Sequence, residues 1–223
     1  MCNLELLSKY LFQGNLSKVK EMTEEALNER IHPEDILKKG LIAGMNIVGT
    51  SFKKNEIFLP EVLLSSQAMN VGMEILQPYL SKTGMKSLGK VVIGTVKGDL
   101  HDIGKNLVVM MLKGGGFDVI DLGIDVSPEK FLSSVKDYQP DIIGMSAMLT
   151  TTMAKMKETI TVLEEANLRN QLKIMIGGTS ITQSFAEEIG ADGYAPDAGS
   201  AVDVVRSLLI KKNKLKKRSA KTC

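Results

Sequence analysis

The stretch Gly98-Asp99-Leu100-His101-Asp102-Ile103-Gly104-Lys105-Asn106 holds one of only two histidines in the chain. It follows an apolar, β-prone run from Val91 to Val96 and precedes a helical pattern at Leu107, Met110 and Met111. The histidine therefore belongs where a strand ends and a helix begins, the rim at which open α/β sheets gather their ligands. Imidazole is a good ligand for a transition metal; on a loop it can equally stand in solvent. Two further segments fall at strand ends: Ser146-Ala147-Met148-Leu149-Thr150-Thr151-Thr152, and Gly177-Gly178-Thr179. Each piece also has a plain reading. A Ser/Thr run before a helix supplies an N-cap, and a glycine pair makes a tight strand-to-helix turn. Asp102 either caps a helix starting at Ile103 or touches a ligand, and Lys105 reads as a solvated helix residue.

The elements that must position these residues lie in the second part of the chain. From Lys90 the pattern alternates between strands, at 91–96, 117–121, 140–145, 172–176 and 192–195, and helices near 103–114, 128–137, 151–167, 181–189 and 198–210. Five short strands joined by helices predict a doubly wound parallel sheet with right-handed crossovers. Gly114-Gly115-Gly116 closes the first of these helices, and Pro128 opens the second. Residues 1–85 read as helical throughout. Leu4, Leu7 and Leu11 keep helical spacing, as do Val19, Met22 and Ala26 after a break at Gly14-Asn15. His32-Pro33-Glu34-Asp35 opens a third helix, with Ile36, Leu37, Leu41, Met45 and Val48 on one face. A fourth opens at Pro60, carries Val62, Leu63, Ala68, Met69, Met73 and Leu76, and is expected to stop near Pro78. Four helices with short loops predict a small bundle. The polar, glycine-bearing stretch 82–89 reads as a linker, its core at 86–89. The expected plan is thus α/β: a four-helix bundle over 1–85, then a Rossmann-like domain over 90–210 and a basic segment over 211–223.

Bulk properties set outer limits. The 223 residues are 43% hydrophobic and 24% charged, as in water-soluble globular chains, and hold no apolar run long enough for a membrane span. The start, Met1-Cys2-Asn3-Leu4-Glu5, has no basic segment followed by an apolar core. Cys2 and Cys223 stand at opposite ends, as neither a metal pair nor a disulfide framework. The expectation is a cytoplasmic protein. The net charge of +2 misleads, because seven of the 28 Lys and Arg residues lie in 211–223 and the rest is mildly acidic. Those basic residues have no aromatics among them, so they read as a frayed, solvated terminus rather than a nucleic-acid site.

Taken together the rim segments resemble the D-x-H-x-x-G, S-x-L and G-G set of cobalamin-binding domains, in that order and spacing: Asp99, His101 and Gly104; Ser146 and Met148; Gly177 and Gly178. Met148 stands where the family has leucine, an apolar exchange that keeps the pocket wall. The following Gly-Lys-Asn and Asp121-Leu122-Gly123 also look like the methionine synthase cobalamin module. Phe58-Leu59-Pro60-Glu61-Val62-Leu63 resembles the helical domain of corrinoid proteins from methylamine, methanol and O-demethylase methyltransferase systems. The resemblance implies cobalamin or a related corrinoid as cofactor, with His101 as lower axial cobalt ligand. Asp99 would hold the imidazole proton and Thr152 would extend that relay. Leu100, Asp102, Ile103, Gly104, Ser146, Met148, Thr150, Gly177, Gly178 and Ala198 would touch the cofactor. Ser146 would meet its displaced base, and the glycine pair would admit the nucleotide tail. The family's bundle covers the upper cobalt face, which nominates Phe52, Phe58, Met69 or Met73 as a shield; Met45, Met69 and Met73 also read as ordinary core.

The function implied is a methyl carrier, not a complete enzyme by itself. Cobalt would cycle between Co(I) and methyl-Co(III), loaded by a substrate-specific methyltransferase. A second methyltransferase would unload it to coenzyme M or tetrahydrofolate, in a methanogenic or acetogenic setting, with a reductive activase as third partner. The chain has no room for a catalytic barrel of its own. Donor and acceptor cannot be read from these residues. The alternative is a cobalamin-dependent sensor or regulator, against which stand the absence of tryptophan and of a recognisable helix-turn-helix. A mutase subunit does not explain the bundle. A receiver-type domain using Asp99 and Asp121 leaves His101, the serine motif and the glycine pair unexplained.

Overall fold

A computed structural model describes residues 3–83 and 87–219. Cys2, Cys223, the expected linker residues Gly84, Met85 and Lys86, and the end of the basic segment lie outside the described residues. The chain divides into two compact units, one within Met1–Ser87 with Lys113–Gly116, the other within Leu88–Leu112 and Phe117–Cys223.

The first unit is helical. It comprises α1 (Leu4–Phe12), α2 (Leu16–Asn28), α3 (Pro33–Asp35) running through a π-helical segment (Ile36–Ile42) into α4 (Ala43–Lys53), and α5 (Leu59–Thr83). Asparagines start the first two helices: Asn3 Oδ1 accepts from the amides of Glu5 and Leu6, and Asn15 Oδ1 from that of Lys18. His32 stands in extended backbone before Pro33, and its carbonyl accepts the first helical bonds from Asp35 and Ile36. Leu7, Leu11, Val19, Ala26, Ile36, Leu41, Val48, Val62 and Leu76 are fully buried. Gly40 and Gly44 let α1 approach closely. A Cβ on Gly40 would lie 2.6 Å from Leu7 Cδ2, and one on Gly44 2.8 Å from the Ser8 carbonyl oxygen. Contrary to expectation, α5 does not stop near Pro78 but runs to Thr83. Leu76 and Leu80, one turn apart on either side of the proline, are both buried, and this apolar anchoring carries the helix past the missing N–H. Of the four proposed shield residues Met69 is buried, Phe52 and Met73 are half-buried and Phe58 is 64% exposed.

The second unit is the expected doubly wound fold. Strands β1 (Lys90–Thr95), β2 (Asp118–Asp121), β3 (Ile142–Ser146), β4 (Lys173–Gly177) and β5 (Gly193–Ala195) form one all-parallel sheet in the order β2-β1-β3-β4-β5. Helices α6 (Ile103–Gly114), α7 (Pro128–Tyr138), α8 (Thr150–Glu165), α9 (Gln183–Ile189) and α10 (Ala198–Ser219) complete it. Val91, Val92 and Ile93 are buried in succession, as strands covered on both faces require. Phe131, Ile143, Met145, Ile160, Ile174 and Ile176 share one core. The register aligns Thr95 with Ser146, Ser146 with Gly177 and Gly177 with Ala195, so the motif-bearing strand ends form one row. The strand order reverses between β1 and β3, and such a switch point opens the crevice where ligands bind.

One expectation at the far end of the sheet is corrected. Helix α10 does not end at 210, and Lys212 is not part of a solvated tail. It is buried, with Nζ 2.7 Å from Asp141 Oδ1, while Asp141 Oδ2 accepts from the Lys90 amide at the start of β1. An acidic partner beneath the sheet holds the lysine and prolongs the helix. Among the described residues, no helix is long and apolar enough to cross a membrane.

Replacing the interior proline restores a helix bond. Pro78→Ala is expected to raise stability by up to about 3 kcal/mol in urea unfolding; an unchanged or lower midpoint would mean that α5 ends at Pro78.

Candidate functional site

Asp99 is fully buried in the loop after β1, and five hydrogen bonds reach its carboxylate. Oδ1 accepts from the His101 amide (3.0 Å) and lies 2.8 Å from His101 Nδ1. Oδ2 accepts from the amides of Met148 (2.8 Å) and Leu149 (3.2 Å) and from the Thr152 hydroxyl (2.8 Å). Thr152 Oγ1 is also 2.8 Å from the Leu149 carbonyl, so one proton serves two acceptors. Burial opposes the charge on Asp99. The backbone donors of His101 and Met148, then the His101 ring and Thr152, outweigh it and hold the carboxyl well below the usual carboxylate range. An ionised carboxylate only accepts, which assigns the imidazole proton to Nδ1 and leaves the lone pair on Nε2.

The histidine is held from three directions. Its amide and Nδ1 bond to Asp99, and its carbonyl accepts from the hydroxyl of the fully buried Thr95 at 3.0 Å. The imidazole is nevertheless half exposed. Around it the surface is apolar: Leu100, Ile103 and Met148 are 66%, 73% and 43% exposed. Sequence reasoning did not single out Thr95; its place at the end of an apolar strand, facing the loop, was the available signal.

The other expected residues are placed as follows. Asp102 stands just before α6, its carbonyl accepting from the Asn106 amide and its carboxylate from the Asn106 side chain. Ser146 ends β3, half-buried, and its carbonyl accepts from Val96. Thr150 is exposed at the start of α8, and Ala198 is buried at the start of α10. Lys105 is not a solvated helix residue. Its side chain is 2% exposed, with Nζ 2.6 Å from Asn106 Oδ1 and 2.5 Å from Asp121 Oδ2. The glycine pair has a reason internal to the fold. A Cβ on Gly177 would lie 2.8 Å from the Ala195 carbonyl oxygen, and one on Gly178, at φ +132°, would overlap the carbonyl of Ala147. Gly104 is different, since a Cβ there meets nothing within 4 Å.

These features fit a flat metal macrocycle. His101 offers a single nitrogen donor, which would suit a metal whose other ligands come from the ring. The exposed apolar side chains suit the ring's lower face. At Gly104, a glycine costs helix stability without relieving any contact among the described residues, as expected where a ligand comes close to the backbone. His101 would hold the metal, and Leu100, Ile103, Gly104 and Met148 would bed the ring. Among the described residues no group of three His, Cys, Asp or Glu is placed to hold an ion.

Comparison with known proteins agrees. Residues 89–203 and residues 4–77 each match a B12 binding domain family. A corrinoid protein of Desulfitobacterium hafniense is 44% identical over 214 residues, covering 95% of this chain and 99% of the relative. Trimethylamine corrinoid protein 1 of Methanosarcina acetivorans is 45% identical over 192 residues, covering 85% and 89%. The crystal structure of the methanol:cobalamin methyltransferase complex of Methanosarcina barkeri contains a chain that superposes with a TM-score of 0.81 at 32% identity, covering 92% of this chain and 78% of that one.

Removing the charge that gathers five donors should be felt before any ligand is bound. Asp99→Asn is expected to destabilise the ligand-free protein by about 1–3 kcal/mol in urea unfolding. A wild-type midpoint would show that the buried carboxylate does not organise these loops.

Proposed function

The chain belongs to the B12-binding corrinoid proteins, and on that footing we propose that it carries a methyl group on the cobalt of its bound cobalamin or related corrinoid, from a substrate-specific methyltransferase to a second methyltransferase that serves coenzyme M or tetrahydrofolate. The observation that carries this reading is the half-exposed imidazole of His101, its Nδ1 fixed on a buried carboxylate, in a rim segment that also exposes Leu100, Ile103 and Met148. Relatives named for trimethylamine and for methanol favour an amine or an alcohol as the first methyltransferase's substrate. A reductive activase is the third partner, and the exchange takes place in the cytoplasm.

When bound, the corrinoid supplies a cobalt that accepts and releases a methyl group as its oxidation state changes by two electrons. The residues supply the rest. His101 Nε2 would hold the cobalt, and Asp99 keeps the proton on Nδ1 and raises the donor strength of the ring. Thr152 connects Asp99 to the start of α8. The Thr152 hydroxyl and the His101 ring share the two oxygens of one carboxylate, so a change in the bond at Oδ2 alters the pull on Nδ1–H and with it the donor strength of Nε2. Ser146 and Thr150, with Gly177, Gly178 and Ala198 beside them along the sheet rim, receive the nucleotide tail. The short backbone separations at the glycine pair serve that pocket by keeping the rim strands and loops close.

Two experiments test this. In the first, anaerobically reconstituted protein is given candidate methylamine and methanol methyltransferases with their substrates, and the absorbance of the bound corrinoid is followed. One pair is expected to methylate it at substrate-dependent rates. Stoichiometric corrinoid binding with no methylation by any pair would favour a regulator instead. In the second, Gly104→Ala is expected to stabilise the ligand-free protein by about 0.5 kcal/mol and to weaken corrinoid binding by about tenfold or more. Undiminished binding would remove Gly104 from the cofactor bed.

A further inference from the structure

The turn from β2 to α7, Leu122–Val126, is fastened to the His101 loop at both of its ends. At the first, the buried Lys105 ammonium bonds to Asp121 Oδ2, while Asp121 Oδ1 accepts from the Gly123 amide at 2.9 Å. The Gly123 carbonyl in turn accepts from the Thr95 amide at 3.0 Å. At the second, the Asp125 amide donates to the Asp99 carbonyl at 3.1 Å, and the Val126 amide to the Thr95 carbonyl at 2.9 Å. The Asp125 carboxylate accepts from the Gly98 amide at 2.7 Å and pairs with Lys97 Nζ at 3.0 Å. Gly123 and Asp125 both stand at positive φ, +84° and +54°. For aspartate that is an uncommon conformation, sustained here by the bonds its side chain and amide make. Between these two clamps one aliphatic side chain is exposed. Ile124 is a branched aliphatic residue, 42% exposed, between the bonds made by Gly123 and Asp125.

Loop tips usually carry polar residues, and a single exposed aliphatic side chain on a mobile tip would need no explanation. This tip is held through Asp99, the same residue that holds the imidazole: Asp125 bonds to its carbonyl and His101 to its carboxylate. The turn and the histidine therefore keep a fixed relation. We propose that Ile124 is a further corrinoid contact, an apolar wall against the macrocycle itself, held in place by the Lys105–Asp121 and Asp125–Gly98 clamps. The inference rests on the corrinoid reading above and extends the bed from the β1 and β3 loops to the β2 loop. It concerns the ring rather than the nucleotide tail, which distinguishes it from the roles given to Ser146 and Gly178.

The test measures the affinity of the full-length protein for hydroxocobalamin and for aquocobinamide, which keeps the macrocycle and lacks the nucleotide. Ile124→Ser is expected to bind both about three- to tenfold more weakly, by the same factor, as loss of a partly exposed aliphatic contact implies. Ile124→Leu should stay within about threefold of wild type. Because the side chain is exposed, unfolding of ligand-free Ile124→Ser should match wild type, which separates a lost contact from a damaged fold. Wild-type affinity of Ile124→Ser for hydroxocobalamin would overturn the assignment and leave the corrinoid reading standing. A loss seen with hydroxocobalamin but absent with aquocobinamide would overturn it too, by placing Ile124 at the tail. Failure of the wild-type protein to bind either compound would overturn the corrinoid reading itself.

Discussion

A single buried carboxylate organises the functional end of this protein. Burying an ionised aspartate without compensation is costly, and the cost falls only when donors surround it. Asp99 recruits those donors from two crossovers, His101 from the loop after β1, Met148 and Leu149 from the loop after β3 and Thr152 from the first turn of α8. Its own carbonyl fastens a third loop through Asp125. The strands on which these loops begin are neighbours only because the sheet order reverses between β1 and β3. The topology thus opens a crevice, and Asp99 closes its floor. The imidazole emerges with one nitrogen committed and the other available, so charge burial at Asp99 determines the tautomer at a surface position where solvent alone would leave it undetermined.

The rim divides its labour in a way that glycine geometry makes visible. Gly177 and Gly178 are required by the fold, because neighbouring carbonyls occupy the space a side chain would need. At Gly104 none of the described residues comes within 4 Å of the space a side chain would take. The first kind of glycine brings strand ends and loops together; the second leaves room for something that comes from outside. The exposed aliphatic residues around His101 belong with the second kind. Together they describe a bed for a flat, largely apolar ligand with a metal at its centre, consistent with the corrinoid family to which the chain belongs.

Much of this was legible in the residues. Strand positions were readable because consecutive buried apolar residues such as Val91-Val92-Ile93 mark a sheet covered on both faces. The D-x-H-x-x-G signature located His101 and Asp99 because their chemistry depends on local spacing. What escaped depended on partners distant in sequence. Lys105, on α6, reads as a surface lysine until Asp121, at the end of β2, is seen to hold it. Lys212 reads as part of a basic tail until Asp141 appears beneath the sheet. Pro78 reads as a stop, and only the burial of Leu76 and Leu80 on either side explains why the helix continues. Ile124 carries no signal in its own residue type, since its meaning comes from the clamps on either side.

The central claim is that His101, held by Asp99, gives a nitrogen to cobalt, and the most direct measurement is the electron paramagnetic resonance spectrum of the Co(II) form of the reconstituted protein. Superhyperfine splitting from one nitrogen is expected, changing when the protein's histidines carry nitrogen-15 and disappearing in His101→Ala. Splitting that ignores the protein label would mean that the cofactor keeps its own base, and that the Asp99–His101 pair serves the loop and not the metal.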